Sequence, residues 1–149
     1  MPSKLQKFAE FETLPNCFSF FFENLSEGFR YKAKWNKEIF KTEQALVLEL
    51  GCGKGEYTVG LASKNPAKNY VGVDIKSNRI WTGAKNALEL KLQNAAFLRS
   101  RIDFIDSCFG EDEVDEIWIT FADPFPKKAD QKRRLTSTKF LPLYKKILK

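Results

Sequence analysis

The chain has 149 residues, 43% of them apolar and 30% charged, with a net charge of +6 and no histidine. The length suits one domain with a real core, and no apolar run is long enough to cross a bilayer, so a soluble cytoplasmic protein with no membrane partner is expected. The missing histidine excludes imidazole metal sites and every Ser-His or Cys-His mechanism, and three unpaired-looking cysteines (Cys17, Cys52, Cys108) argue against a disulfide framework or a cysteine-held metal.

Residues 1–30 carry seven phenylalanines at spacings that fit neither helix nor strand. They read as an irregular arm laid over a domain of residues 31–149; a stacking platform for bases is the lesser alternative. Tyr31 to Phe40 reads as a short helix with Trp35, Ile39 and Phe40 on one side. Ala45 to Leu50 is a buried strand, and Glu56 to Lys64 a helix ended by Asn65-Pro66. Tyr70 to Asp74 is a second strand. Ser77 then suits the cap of a helix running to about Leu92, with Ile80, Ala84, Ala87 and Leu88 at helical spacing. Ala96 to Arg99 is a third strand, followed by a small helical piece around Phe104 to Phe109. Glu116 to Phe121 is a fourth strand, and a last helix starts near Thr138, where Pro142 falls in the first turn. Alternating strands and helices predict an open, doubly wound α/β fold with a parallel sheet. The sheet is expected to be incomplete, at about four strands, because Lys149 falls where a fifth should begin. The fourth strand would then be an exposed edge, open to self-association.

The first strand runs into Glu49-Leu50-Gly51-Cys52-Gly53-Lys54-Gly55-Glu56. Glycines at alternate positions let the backbone turn sharply and approach a ligand closely. The spacing is G-x-G-x-G, with Glu56 where a dinucleotide fingerprint has its third glycine. Carboxylates at Glu49 and Glu56 oppose a phosphate and suit a cation such as a sulfonium or an amine. Asp74 ends the second strand nineteen residues after Gly55. An acid there hydrogen-bonds the hydroxyls of an adenosine ribose. That geometry serves NAD and S-adenosylmethionine alike.

After the fourth strand comes Ala122-Asp123-Pro124-Phe125-Pro126, a turn stiffened by two prolines that holds a carboxylate at the cleft, suited to stabilising developing charge. Positive charge gathers beyond it. From Pro124 to Lys149 there are nine basic residues and one acid, a balance of +8 against −2 for the preceding 123 residues. Such asymmetry is the footprint of a polyanionic partner. Placed beside the cleft, it favours a nucleic-acid substrate.

These residues resemble the bacterial tRNA (guanine-N7)-methyltransferases, the TrmB type. The resemblance runs through Lys34-Trp35-Asn36, the segment from Leu48 to Tyr57, Val71-Gly72-Val73-Asp74, Phe97-Leu98-Arg99-Ser100 and Asp115-Glu116-Ile117-Trp118-Ile119. The Asp-Pro turn with Lys132-Arg133-Arg134-Leu135-Thr136 is its most specific part. The resemblance implies a Rossmann-like class I fold, S-adenosylmethionine as cofactor, and methyl transfer to a guanine N7 at position 46 in the tRNA variable loop. It implies Glu49, Gly51, Gly53, Asp74, Arg101, Ile102 and Asp123 as cofactor contacts, with Asp74 on the ribose and Glu49 near the amino-acid portion. Asp123 is also the implied catalytic acid, and Lys127, Lys132, Arg133 and Arg134 the tRNA contacts. No metal is implied. The chain departs from the family in three ways. The usual Pro-Asp-Pro-Trp reads Ala122-Asp123-Pro124-Phe125. Arg101 stands where many members carry Asp or Asn to meet the adenine edge. The family's later strands, with a Thr-Asp segment near the target base, are missing. The competing readings are a methyltransferase on the same fold acting on another base or a small molecule, and a non-catalytic adenosine- or RNA-binding fragment.

Overall fold

The computed structural model describes residues 1–120 and 125–149. Five strands form one parallel sheet: β1 (Cys17–Ser19), β2 (Ala45–Leu50), β3 (Lys68–Asp74), β4 (Ala95–Arg99) and β5 (Glu116–Trp118), in the order β1-β4-β3-β2-β5. Helices α1 (Lys4–Phe11), α2 (Glu56–Lys64), α3 (Ser77–Glu89), α4 (Ile105–Cys108) and α5 (Leu141–Ile147) cover it. The expected first to fourth strands are β2 to β5, and the expected α/β architecture is present.

Residues 1–30 are ordered as more than an irregular arm. Ser3 and Gln6 cap α1 reciprocally, with the Ser3 N–H donating to Gln6 Oε1 at 2.7 Å and the Gln6 N–H to Ser3 Oγ at 3.2 Å. The helix packs on α3, where Lys85 pairs with Glu10 at 2.8 Å. The chain then adds β1 beside β4, so the sheet has five strands rather than four. Three residues are too few to show a period of two, and only the open edge of β4 makes them a strand.

Other boundaries differ for local reasons. The segment expected as a helix from Tyr31 is helical only over Trp35–Phe40, as a π-type turn closed by Lys41 in the left-handed region. Ser77 is the first helical residue and buried, not the cap; Lys76 holds that position, and its N–H donates to Asp74 Oδ1 at 3.1 Å. The last helix begins at Leu141, later than Thr138. The fourth expected strand is shorter than expected: it ends at Trp118, Ile119 and Thr120 lie beyond it, and its expected terminus, Phe121, lies outside the described residues.

Alternate residues of β2 serve two cores. Leu46, Leu48 and Leu50 join Trp35, Phe109 and Ile147 on one face, while Val47 joins Phe11, Ile80 and Phe97 on the other. Trp35 has no exposed surface, stacks on Phe109 at 4.8 Å, and donates its indole N–H to the Cys108 carbonyl at 2.9 Å. Beyond β5, the Val114 N–H donates to the Ile147 carbonyl and the Lys149 N–H to the Val114 carbonyl, both at 2.9 Å. Residues 147–149 thus run beside Val114, just before β5 begins.

Candidate functional site

Sheet order reverses at β2: β3 and β4 lie to one side and β5 to the other. Ligands of open α/β sheets gather outside the carboxyl ends of strands at such a switch. The glycine turn leaves β2 there. Gly51, Gly53 and Gly55 have φ of 68°, 57° and 73°, a region that side chains with a Cβ enter only under strain. The N–H groups of Gly51 and Cys52 both donate to the Val73 carbonyl, at 2.8 and 3.0 Å, so the turn is pinned to the end of β3.

Close packing fixes the turn from behind. A Cβ on Gly83 of α3 would lie 2.8 Å from the Lys54 carbonyl oxygen and 3.0 Å from the Gly55 Cα. One on Gly72 of β3 would lie 2.9 Å from Thr58 Oγ1 and 3.0 Å from Cys52 Sγ. Sequence reasoning missed both glycines. The available signal was a glycine inside a helix or strand, which weakens the element and marks close backbone approach.

Asp74 bridges the turn and the entry to α3. Its Oδ2 accepts from the Gly53 N–H at 2.9 Å, and its Oδ1 from Lys76. Each oxygen keeps acceptor capacity for a hydroxyl. Glu49 is only 3% exposed. Its Oε1 accepts from the Thr58 hydroxyl at 2.8 Å, and its Oε2 from the Thr120 hydroxyl. Sequence reasoning also passed over these two threonines, since a lone hydroxyl carries no pattern. Among the described residues no cation pairs with Glu49. A buried carboxylate lacking a cation carries a desolvation cost of several kcal/mol, so this site attracts positive charge. The Cys52 thiol senses the same field: burial pushes its pKa up, and Asp74 and Glu49 add to the rise.

In front of the turn is a cleft of about 330 Å³, walled by Gly51, Asp74, Arg101, Ile102, Leu135 and Phe140 among others. Four of the expected cofactor contacts thus line one cavity; Gly53 is tied to it through Asp74, and Glu49 stands at the end of β2 just before the turn. Arg101 is exposed, with its Nε 3.4 Å from Asp103 Oδ1. Asp103 also holds Lys139 at 3.0 Å, joining the two segments that wall the cleft. Burial raises the Asp103 pKa, but the Lys139 hydrogen bond and the charges of Arg101 and Lys139 outweigh it and hold the carboxyl below its ordinary range.

Asp123 lies outside the described residues. The basic segment after it leads into the cleft wall through Leu135, whose Cδ1 would lie 3.5 Å from a Cβ on Gly51. Lys127 and Lys132 are exposed, while Arg133 reaches Asp130 at 3.7 Å and lies 4.4 Å above the Phe125 ring. Arg134 is half-buried and donates from Nε to the Phe125 carbonyl at 3.0 Å and from Nη2 to the Pro126 carbonyl at 3.4 Å. Among the described residues no group of three or more His, Cys, Asp or Glu could hold a metal ion, and no helix is long and apolar enough to cross a membrane.

A parallel sheet with a glycine turn after the strand where its order reverses, and an acid ending the neighbouring strand, defines a Rossmann-like α/β protein. Likeness to known proteins narrows this class. Residues 43–149 match the family described as "Putative methyltransferase", and the chain belongs to that family. It is 51% identical over 148 residues to a protein of Christiangramia forsetii named tRNA (guanine-N(7)-)-methyltransferase, covering 99% of this chain and 66% of that one. A Bacteroides fragilis protein of the same name is 50% identical over 147 residues, covering 98% of this chain and 58% of that one. The chain therefore spans under two thirds of the length of these relatives. The fold is also that of a solved SAM dependent methyltransferase from Aquifex aeolicus, with a TM-score of 0.56 at 19% identity over 95% of this chain and 66% of that one.

Proposed function

We propose that this chain forms the cofactor-binding part of an enzyme that transfers a methyl group from S-adenosylmethionine to N7 of a tRNA guanine, at position 46 of the variable loop. The observation that carries the reading is an acceptor-only pair beside a glycine turn. Asp74 offers oxygens to ribose hydroxyls, and Glu49 offers a buried negative charge to an ammonium or a sulfonium. Asp74 would suit either kind of adenosine ligand, whereas a dinucleotide phosphate beside the turn would meet repulsion from Glu49. The names of the relatives and the basic segment at the cleft support tRNA as substrate.

Bound there, the cofactor supplies a methyl group made electrophilic by its sulfonium. Gly51 and Gly53 bring the backbone close to it, Asp74 and Glu49 hold its polar ends, and Ile102, Leu135 and Phe140 exclude water from its body. Arg101 lines the same cleft. Guanine N7 has an in-plane lone pair and no proton, so no general base is needed and a chain without histidine suffices. Catalysis then rests on alignment, with Asp123 stabilising the cationic purine as it forms. Lys127, Lys132 and Arg133 would neutralise tRNA phosphates.

Incubating the protein with a tRNA transcript and S-adenosylmethionine, then measuring 7-methylguanosine by mass spectrometry, tests the reading. Loss of product on replacing guanine 46 is the expected result. Cofactor binding without product would support a binding role alone, and methylation of another base would overturn the substrate.

A further inference from the structure

We infer that Arg134 is a positioning residue: its guanidinium holds the turn after Asp123 against the cofactor cleft, and it is not one of the phosphate contacts. The inference rests on the proposed methyl transfer and divides the labour within the basic segment. Lys127 and Lys132 present exposed side chains with no acidic partner in salt-bridge reach among the described residues, and the Arg133 side chain is 65% exposed. Arg134 differs. Its Nε and Nη2 are spent on the carbonyls of Phe125 and Pro126, nine and eight residues back along the chain. A planar fork can reach two neighbouring carbonyls at once, which a lysine cannot reproduce.

The turn needs such a clamp. Phe125 has φ of 40°, in the left-handed region that a residue with a bulky side chain occupies only when its surroundings hold it there. Arg133 adds a second hold, with its guanidinium over the Phe125 ring. The next residue, Leu135, walls the cleft against Gly51, and its carbonyl accepts the Tyr144 hydroxyl at 2.7 Å. Tyr144 is buried on α5. Residues 134 and 135 thus join three things: the turn behind Asp123, the glycine loop and the last helix. Loosening Arg134 frees the backbone at Phe125 and Pro126 while leaving the exposed cations in place.

The test compares Arg134→Ala and Arg134→Lys with Lys132→Ala. Single-turnover methylation at saturating tRNA should fall at least tenfold in Arg134→Ala and remain impaired in Arg134→Lys, with the salt dependence of tRNA affinity unchanged in both. Lys132→Ala, by contrast, should flatten that salt dependence. Hydrogen exchange of amides 125–137 should quicken in Arg134→Ala and not in Lys132→Ala. An Arg134 variant that only weakens and flattens tRNA binding, or that leaves this exchange unchanged, overturns the inference. If the parent protein makes no 7-methylguanosine, the functional reading fails, and the exchange measurement still decides whether Arg134 holds the turn.

Discussion

Glu49 is the residue at which charge and burial conflict most. Its two hydroxyl donors satisfy hydrogen-bonding capacity without cancelling charge, so the side chain costs stability until a cation arrives. Glu49→Gln keeps the shape and removes the charge. The variant should keep or raise its melting temperature and lose at least tenfold in cofactor affinity, about 1.4 kcal/mol, by calorimetric titration. Lower stability with unchanged affinity would make Glu49 a structural residue. Arg99 shows the contrasting solution. It lies between Phe8 at 4.1 Å and Phe21 at 4.6 Å and reaches Glu12 at 3.4 Å, so its charge is compensated within the chain and fastens residues 8–21 to β4.

At the scale of elements, the site depends on how tightly α3 crosses the glycine turn. Gly83→Ala would put a methyl group 2.8 Å from the Lys54 carbonyl oxygen of that turn and 3.0 Å from both the Gly55 Cα and the Phe97 ring. A loss of about 1–3 kcal/mol in chemical denaturation is expected, as for other overpacked sites. Cofactor affinity should fall with it, because the displaced loop contains Gly53, which holds Asp74. The contact between the loop after β4 and the segment before α5 responds to pH. The Asp103 carboxyl titrates below its ordinary value of 3.8 in the folded chain, so its contribution is complete above that value and is lost as pH falls through the lower one. Lys139→Met should raise the Asp103 pKa in a carboxyl NMR titration and reduce the acid-side loss of stability. A titration identical to the parent's would show that Lys139 does not hold the carboxylate.

For the whole molecule, the division of charge decides the partner. A net +8 lies from residue 124 onward, next to the cleft, and −2 over the rest. Replacing Lys127 and Lys132 with alanine should reduce the slope of log affinity against log salt by about 0.7–0.9 for each phosphate no longer neutralised. Fluorescence anisotropy with labelled tRNA across a salt series measures it. An unchanged slope would move the RNA surface elsewhere. The +8 segment is joined to the cleft through Leu135 and through the Lys139–Asp103 ion pair, so the proposed RNA surface and the cleft walls share residues.

Much of this was legible along the chain because its causes are local. Three alternating glycines after an apolar run dictate a turn, Asp74 follows at the spacing of an adenosine site, and strand and helix alternate with clear periods. The same applies to α2, whose bounds from Glu56 to Lys64 follow from a glycine before it and Asn65-Pro66 after it. What remained hidden depends on partners distant in sequence. β1 is a strand because β4 offers it an edge, Gly72 and Gly83 are required by the backbones and side chains they meet, and Thr58 and Thr120 matter because both reach one carboxylate. The sequence by itself determined the parallel α/β class, the adenosine-type loop and acid, and the basic segment, since each is a matter of residue type and spacing. Only the tertiary structure decided that Arg134 faces its own backbone while Lys132 faces solvent, because adjacent cations look alike until the chain folds back and supplies the carbonyls that one of them binds.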